Sequence, residues 1–212
     1  MLGQISLNKY TFADFSFSDK LEFVEIFVNI EGLSKSTQGR VKMEQNKLTF
    51  IRENAPCYLY DKQQIIERCR ILQGFMPEEQ LLYSIKTNPF IPIVESVARQ
   101  RFGADVASAN EVLLAEQAGI PRESIFYSAP GKTEQDIEKT WGRCTIIADS
   151  FSELHLLERI STEKNKTIIV GVRVNPNFSM DSGAAAPSKF GVDEDQLLSS
   201  TTKFPHLKIN RR

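Results

Sequence analysis

A lysine at the end of a short apolar run is the residue of this sequence with the clearest chemical potential. Lys86 closes the run Leu81-Leu82-Tyr83-Ser84-Ile85, which has the length and composition of a buried β-strand. A lysine at the end of such a strand, facing a cavity, is partly removed from water. This favours the neutral amine, which forms a Schiff base with a carbonyl compound. A solvated lysine at a strand end has the same local sequence, so this position alone leaves both interpretations open.

Other polar residues occupy the same kind of position, at or just after the end of a predicted strand. In α/β proteins, ligands bind beyond the carboxyl ends of the parallel strands, because those ends meet at one edge of the sheet. The two histidines, His155 and His206, fall in a predicted helix and in the tail, and we expect them to be structural or exposed. The candidate binding residues are therefore those at the strand ends: Lys86, Asp105, Ser108, Ser128 to Lys132, Asp149, Arg173 and Asn175.

The elements that must position these residues begin at residue 56. Ser108, Thr133 and Ser150 are predicted to begin helices, and Gly74 and Gly119 to end them. Short runs rich in β-branched and aromatic residues predict strands at residues 56–61, 81–86, 103–107, 124–128, 145–149 and 167–174. Amphipathic stretches between them predict helices at about 62–75, 90–101, 109–119, 133–141 and 151–162.

Strict alternation of strands and helices predicts right-handed crossovers and a parallel sheet. Both an open doubly wound sheet and a (β/α) barrel fit this pattern. The first strand–helix turn has no Gly-x-Gly-x-x-Gly fingerprint, which argues against dinucleotide binding. Six strands and a seventh candidate at residues 206–209 fall short of the eight strands, in about 250 residues, of a closed barrel. A barrel built from this chain is therefore expected to be incomplete and to expose unpaired edges.

The composition is that of an ordinary globular protein. The chain has 212 residues, of which 41% are hydrophobic and 25% are charged, with a net charge of −1. This balance argues against nucleic-acid binding, and no apolar run reaches the about 18 residues that a membrane span needs. The three cysteines include no Cys-x-x-Cys pair, and the first residues show no secretory signal. We therefore expect a cytoplasmic protein.

The alternating pattern does not extend to the start of the chain. Residues 1–50 are predicted to form an N-terminal extension of unassigned fold, and residues 51–212 to form the α/β domain. Within the extension, residues 20–28 fit either an amphipathic helix or an alternating strand. The extension shows no catalytic constellation.

Five segments resemble, in order, the motifs of one enzyme family. Tyr83-Ser84-Ile85-Lys86-Thr87-Asn88 resembles the Tyr-Ala-Val-Lys-Ala-Asn motif of the fold-type III pyridoxal-phosphate decarboxylases, the family of ornithine, diaminopimelate and arginine decarboxylases. Residues 56–61 also resemble the family's first barrel strand, and the resemblance extends over about residues 45–193. The other four segments are 102–111, which is similar to the family's Phe-Asp-Val-Ala-Ser-x-x-Glu segment, 124–132 with its Pro-Gly-Lys loop, 172–176 and 188–191.

The resemblance implies a fold, a cofactor and the residues that hold it. The fold implied is α/β, an incomplete (β/α)8 barrel of the alanine racemase type with about six to seven strand–helix units. Lys86 would hold pyridoxal 5'-phosphate as a Schiff base. Arg173 would lie near the cofactor ring and help to set its electronic properties.

Four more residues match positions that surround the cofactor in the family. The resemblance implies that Asp105 and Glu111 pack around the lysine and the cofactor. Local pairing with Lys86, or capping of the following helix, accounts for these two acidic residues nearly as well. Asn88 and Ser128 would shape the pocket. No metal ligand set is predicted.

The implied reaction is the decarboxylation of an amino acid, which is carbon–carbon lyase chemistry. The loop over residues 175–187 is more similar to the diaminopimelate side of the family, so we expect diaminopimelate or a related small amino acid as substrate. Full-length members of the family are homodimers. The motifs of the family's second half are absent, so we expect a truncated member with neither a nucleic-acid nor a membrane partner.

Two alternatives stay open. The chain could be a catalytically incomplete pseudoenzyme, which binds the cofactor or regulates a full-length homologue by pairing through its open edges. It could also be a relative from the racemase or cofactor-homeostasis branches of the same fold. The segments at residues 105–111 and 130–132 argue against those branches.

Overall fold

The structure is a computed structural model that describes residues 24–28, 49, 52, 57–175, 188–200 and 204–209. Most of the predicted N-terminal extension and nearly all of the predicted substrate loop at 175–187 therefore lie outside the described residues. The chain divides into two compact units, Met1–Met76 and Pro77–Arg212. The predicted domain boundary after residue 50 stays a prediction, since compactness alone does not define a domain.

The first unit contains two parallel strands and a helix. Strand β1 (Val24–Val28) pairs with β2 (Cys57–Asp61) over five residues, and helix α1 (Lys62–Phe75) follows directly. Of the two interpretations for residues 20–28, the strand is the correct one for the described part, Val24–Val28. Strand β2 belongs to this two-stranded sheet, so its assignment as the first barrel strand was wrong. The pattern at residues 56–61 predicts a strand but not its partner, which lies about 30 residues earlier in the chain.

A side-chain cap at Asp61 begins helix α1. The Asp61 carboxylate accepts hydrogen bonds from the backbone N–H groups of Gln63, at 3.0 Å, and Gln64, at 3.3 Å. These bonds satisfy donors that the first turn of a helix leaves without partners. Gly74 lies in the last turn and the helix ends at Phe75, so the helix predicted at about residues 62–75 is confirmed.

The second unit holds the alternating strands and helices. Its strands are β3 (Leu82–Ser84), β4 (Gly103–Val106), β5 (Ile125–Tyr127), β6 (Thr145–Ala148), β7 (Ile168–Val172), β8 (Val174–Asn175), β9 (Val192–Asp193) and β10 (Leu207–Ile209). Its α-helices are α2 (Ile91–Ala98), α3 (Ala109–Gln117), α4 (Glu134–Thr140), α5 (Phe151–Glu163) and α6 (Glu194–Ser200). Single 3-10 turns occupy Ile85–Thr87 and Arg122–Ser124.

Six of these strands form one parallel sheet in the order β3-β4-β5-β6-β7-β10. Each strand lies beside the next one of the series, and the order never reverses. A doubly wound sheet would show such a reversal at its switch point, whereas a barrel adds its strands consecutively. The structure therefore confirms a partial barrel of six strands, including the seventh strand candidate near residue 206.

The predicted helix starts in this unit are confirmed. The Ser108, Thr133 and Ser150 hydroxyls each accept a hydrogen bond of 3.2 Å from the backbone N–H three residues later. Asp136 returns the contact by accepting the Thr133 N–H at 3.0 Å, which completes a capping box. Gly119 follows helix α3 with φ = 84°, a left-handed conformation typical of the residue after a helix.

Two apolar clusters attach the helices to the sheet. One is formed by residues of β3 to β5 with helices α2 and α3, including the buried Val94, Val106 and Val112. The other is formed by β6, β7 and β10 with helices α4 and α5, including the buried Leu154 and Leu157. The carboxyl ends of the strands are left for polar residues. None of the described helices is long and apolar enough to cross a membrane.

Candidate active site

A cavity of about 520 Å³ lies at the carboxyl ends of the parallel strands. Four of its lining residues are predicted site residues, and they come from four different strand ends. Cavities of this size accommodate small organic ligands. The lining consists of Lys86, Asp105, Ala107, Ser128, Ala129, Pro130, Arg173 and Phe190.

Lys86 lies in the 3-10 turn that follows β3, two residues beyond the end of the strand. The turn is closed by the Thr87 hydroxyl, which donates to the carbonyl of Ser84 at 2.7 Å, and it is anchored by Ile85, which is completely buried. The predicted strand over residues 81–86 ends at Ser84 instead, and Lys86 is exposed, which agrees with the second of the two interpretations that the sequence left open. Among the described residues, its amine has no hydrogen-bond or ion-pair partner. No described residue therefore competes for this amine at the cavity.

Asp105 connects two serines on the strands at either side of it. Its carboxylate accepts a hydrogen bond of 3.0 Å from the Ser84 hydroxyl and a second, short one from the Ser128 hydroxyl. These contacts follow from the topology, because β4 lies between β3 and β5 and Ser84 is directly opposite Asp105. Among the described residues, Asp105 forms no ion pair with Lys86, so the alternative of local pairing is not what the structure shows.

Arg173 follows the last residue of β7, and two contacts hold its guanidinium group. It forms an ion pair with Asp149, with 2.7 Å between Arg173 Nη1 and Asp149 Oδ1. It also lies over the ring of Phe190, 5.5 Å from the ring centroid. A cation over an aromatic face is attracted by the ring's charge distribution. The arginine is therefore held at the cavity from both sides.

Gly191 allows Phe190 to reach this position. Its φ is 86°, and a Cβ atom there would lie 3.0 Å from both the carbonyl oxygen of Arg173 and the nitrogen of Asn175. The segment that contains Phe190 therefore approaches the end of β7 more closely than a larger residue would permit. Val192 then donates a hydrogen bond of 2.8 Å to the Arg173 carbonyl.

Two predicted site residues lie outside the cavity lining. The Asn88 side chain accepts a hydrogen bond of 3.0 Å from the N–H of Phe90, ahead of helix α2. Glu111 accepts the N–H of Ala107 at 2.9 Å and thereby supports the loop that forms one cavity wall. This is the local role that the sequence left open for Glu111. Their contact with a cofactor stays a prediction.

A buried ion pair beside the cavity was missed by the sequence reasoning. The side chains of Lys132 and Glu153 are 0% and 7% exposed, and their charged atoms are 2.9 Å apart. Burial lowers the pKa of Lys132, although the hydrogen bond with Glu153 opposes that shift. The sequence places Lys132 in the Pro-Gly-Lys motif and Glu153 in the first turn of the helix that follows Ser150. Neither pattern indicates that the two segments are in contact.

Phe190 and the pairing of Asp149 with Arg173 were also not predicted. Phe190 lies in a recognised segment, and Asp149 follows a predicted strand, but no spacing rule links either of them to Arg173. The two histidines take no part in the cavity. His155 is exposed, and His206 contacts Glu158 at 2.6 Å. No group of three metal-ligating side chains occurs among the residues that the structure describes.

Consecutive strands in a parallel sheet define a (β/α)-barrel protein, and a lysine, an arginine and a carboxylate line the cavity at its carboxyl edge. The family model for the pyridoxal-dependent decarboxylases, pyridoxal binding domain, matches residues 62–209. The chain belongs to this family.

Similar proteins are decarboxylases. The chain is 36% identical over 166 residues to an L-glutamyl-[BtrI acyl-carrier protein] decarboxylase of Niallia circulans, matching 74% of this chain and 39% of that protein. It is 34% identical over 171 residues to a diaminopimelate decarboxylase of Zymomonas mobilis, matching 73% of this chain and 40% of that protein. The chain thus spans about two-fifths of the length of these relatives.

A solved structure supports the fold assignment. The crystal structure of diaminopimelate decarboxylase from Helicobacter pylori, complexed with L-lysine, superposes with a TM-score of 0.66 at 27% identity. The superposition covers 77% of this chain and 45% of that chain. The six-stranded sheet therefore corresponds to part of the barrel in that decarboxylase structure.

The residues at the cavity suit the family's cofactor, pyridoxal phosphate. The amine of Lys86 has no partner among the described residues, so it is available to the cofactor's aldehyde. Ala107, Ala129 and Pro130 also line the cavity, and their small side chains leave space for a ring. Arg173 adds a positive charge beside a ligand that carries negative charge.

Proposed function

We propose that this chain is the cofactor-binding part of an amino-acid decarboxylase, with Lys86 as the residue that binds pyridoxal phosphate covalently. The observation that carries the proposal is the position of Lys86. Its amine, without a partner among the described residues, lines one cavity together with Asp105, Ser128 and Arg173. A lysine amine at a carbonyl-binding site is a suitable nucleophile for Schiff-base formation.

Each side of the cavity has a separate task in this proposal. When bound, pyridoxal phosphate supplies a ring that accepts the electron pair left behind as the α-carboxylate departs as carbon dioxide. Arg173, fixed by Asp149 and Phe190, places a positive charge at one wall. Asp105 holds the Ser128 hydroxyl at another wall, where polar groups orient a ligand. The small apolar residues exclude water from the reacting bonds.

The proposed substrate is diaminopimelate or a related amino acid. Diaminopimelate decarboxylases recur among the similar proteins, whereas the Niallia circulans relative acts on a glutamyl group carried by a protein. A carrier-linked amino acid is therefore the second candidate. Because the chain spans two-fifths of these relatives, we propose that turnover needs the remaining part of the architecture. Dimer formation and a cytoplasmic location belong to the same proposal.

Covalent trapping tests the cofactor assignment. The purified chain is incubated with pyridoxal phosphate, reduced with borohydride and mapped by mass spectrometry. We expect the label on Lys86 and its loss in Lys86→Ala. Lys189→Ala is the matched control, because Lys189 lies next to a cavity residue and contacts the ring of Phe190, 4.9 Å from its centroid. A label that persists in Lys86→Ala would exclude Lys86 as the attachment point.

Substrate assays separate the function classes. Carbon dioxide release is measured with diaminopimelate, ornithine and a glutamyl-carrier conjugate, using the chain alone and mixed with a full-length homologue. A decarboxylase releases carbon dioxide from one of these substrates. A racemase would invert an amino acid without releasing it. Labelling at Lys86 without turnover in either sample would favour the incomplete pseudoenzyme.

A further inference from the structure

We infer that the buried Lys132–Glu153 pair is a positioning device that sets two walls of the cavity, one at Ala129 and one at Arg173, relative to each other. Neither residue lines the cavity. This inference rests on the proposed function, because it concerns the cofactor site at Lys86. It adds two residues to that site that act only through others.

Lys132 holds the wall at Ala129 through hydrogen bonds of its ammonium group. Its ammonium group donates to the carbonyl of Ala129 at 2.5 Å, to the carbonyl of Ile147 at 2.7 Å and to the Glu153 carboxylate at 2.9 Å. An ammonium group has three hydrogens, so all of its donors are used. Ala129 belongs to the cavity lining, while Ile147 belongs to strand β6. The lysine therefore ties the lining loop directly to the sheet.

Glu153 holds the wall at Arg173 indirectly, through Asp149. One carboxylate oxygen accepts the backbone N–H of Lys132 at 3.1 Å, and the other accepts the backbone N–H of Asp149 at 3.0 Å. Asp149 in turn holds Arg173 through the 2.7 Å ion pair. A displacement of Glu153 is therefore transmitted through Asp149 to the guanidinium group at the cavity.

Because the ion pair is buried, replacing only one of its two residues is expected to be strongly destabilising. Removing one partner of a buried ion pair leaves the other charge without compensation in a medium that solvates it poorly. Replacing both partners by apolar side chains of similar volume is often tolerated. The double replacement therefore avoids an unpaired buried charge, and its effect on the cavity can be compared with that of a variant destabilised elsewhere in the same cluster.

Four variants test the inference: Lys132→Met, Glu153→Gln, the double variant Lys132→Met/Glu153→Met, and Leu157→Ala. Leu157 is the matched control, because it is fully buried on the same helix as Glu153 but does not line the cavity. We expect the double variant to melt at a lower temperature, because four backbone groups lose their hydrogen bonds to the replaced side chains, and to bind pyridoxal phosphate about tenfold to a hundredfold more weakly. We also expect a shifted visible absorption of the bound cofactor. Leu157→Ala is expected to lower the melting temperature without changing affinity or absorption.

Amide hydrogen exchange gives a readout that needs no cofactor. The N–H of Ser128 donates to Val106, and that of Arg173 donates to Ala148, so neither bond involves a replaced side chain. Faster exchange of both amides in the double variant, with helix α5 still protected, is the expected result.

The outcomes distinguish the two levels of the proposal. Unchanged affinity and exchange in the folded double variant would overturn the positioning role, as would a Leu157→Ala variant that loses affinity equally. Absence of cofactor labelling on Lys86 in the unmodified chain would instead refute the proposed function, and exchange at Ser128 and Arg173 would still decide whether the pair positions the walls.

Discussion

Arg173 and Asp149 form an ion pair across the carboxyl ends of two neighbouring strands, with 2.7 Å between their closest charged atoms. The two residues follow β7 and β6 directly, and the parallel register of these strands brings them together. Arg173 also donates its backbone N–H to Ala148, the last residue of β6, at 2.9 Å. Backbone and side-chain contacts thus hold the arginine at the same place, and the proposed cofactor site depends on that position.

The two partners of this ion pair are expected to respond unequally to replacement. The Asp149 side chain is 6% exposed and that of Arg173 is 37% exposed. Arg173→Met leaves a buried carboxylate without its cation and should lower the free energy of unfolding by about 3 kcal/mol. Asp149→Asn leaves a guanidinium group that reaches water and should lower it by about 1 kcal/mol or less. Urea unfolding of both variants measures the difference, and equal losses would contradict this asymmetry.

Gly191→Ala is expected to disturb Arg173 through its second contact, the ring of Phe190. The added Cβ would meet two backbone atoms at 3.0 Å, and the residue must also adopt φ = 86°. The left-handed conformation alone is worth about 1–2 kcal/mol of destabilisation, and the close contact adds to it. Gly142→Ala is the control, because Gly142 has φ = 68° but nothing within 4 Å of its Cβ position.

Chemical denaturation and cofactor labelling of the two glycine variants provide the measurement. We expect Gly191→Ala to be the less stable variant and to label Lys86 more slowly, because Phe190 moves away from Arg173. If the free energy of unfolding falls equally in the two variants, the close backbone contacts at Gly191 do not contribute to the loss of stability.

Alkaline pH is expected to destabilise the fold through the buried Tyr127 and the half-buried Cys144. Burial raises the pKa of the Cys144 thiol from 9.0 to about 12. Burial, with help from nearby acidic groups, raises that of Tyr127 from 10.0 to about 12. Between pH 9 and 12, the unfolded chain loses these protons while the folded chain retains them. The stability that these groups contribute below pH 9 is therefore lost as the pH rises toward 12.

The measurement is the free energy of unfolding as a function of pH from 7 to 11. We expect a downward slope that begins near pH 9 and becomes shallower in Cys144→Ala and Tyr127→Phe. An unchanged slope in both variants would show that other groups are responsible. Thiol alkylation at neutral pH should also be slow at Cys144 until the chain is denatured, because the thiolate is the reactive form.

Self-association is expected from the edge of the six-stranded sheet. Among the strands that the structure describes, β3 ends the sheet on one side, and Leu82 on that strand is 40% exposed. Edge strands with exposed apolar residues pair readily with other chains. Leu82→Lys should reduce association in sedimentation experiments. Leu198→Lys, which removes an apolar side chain that is 66% exposed on helix α6, should have no such effect. A monomer at all concentrations would count against an open edge.

The sequence by itself determined the local elements and the type of site. The helix starts at Ser108, Thr133 and Ser150, and most of the strands, are encoded by neighbouring residues, through side-chain caps and the spacing of apolar residues. The family motifs identified Lys86, Asp105, Ser128 and Arg173, which all line one cavity. These features could be predicted because each depends on a few consecutive residues or on one short contiguous motif.

Only the tertiary structure decided which distant residues meet. The sequence does not show that β2 pairs with β1, that Phe190 lies beside Arg173, or that Lys132 meets Glu153 across 21 residues. It also placed Lys86 at the end of a strand, whereas the buried Ile85 anchors a turn that exposes it. The reason is physical: pairings between strands and buried ion pairs depend on packing in three dimensions, and sequence periodicity does not record which surfaces will face each other.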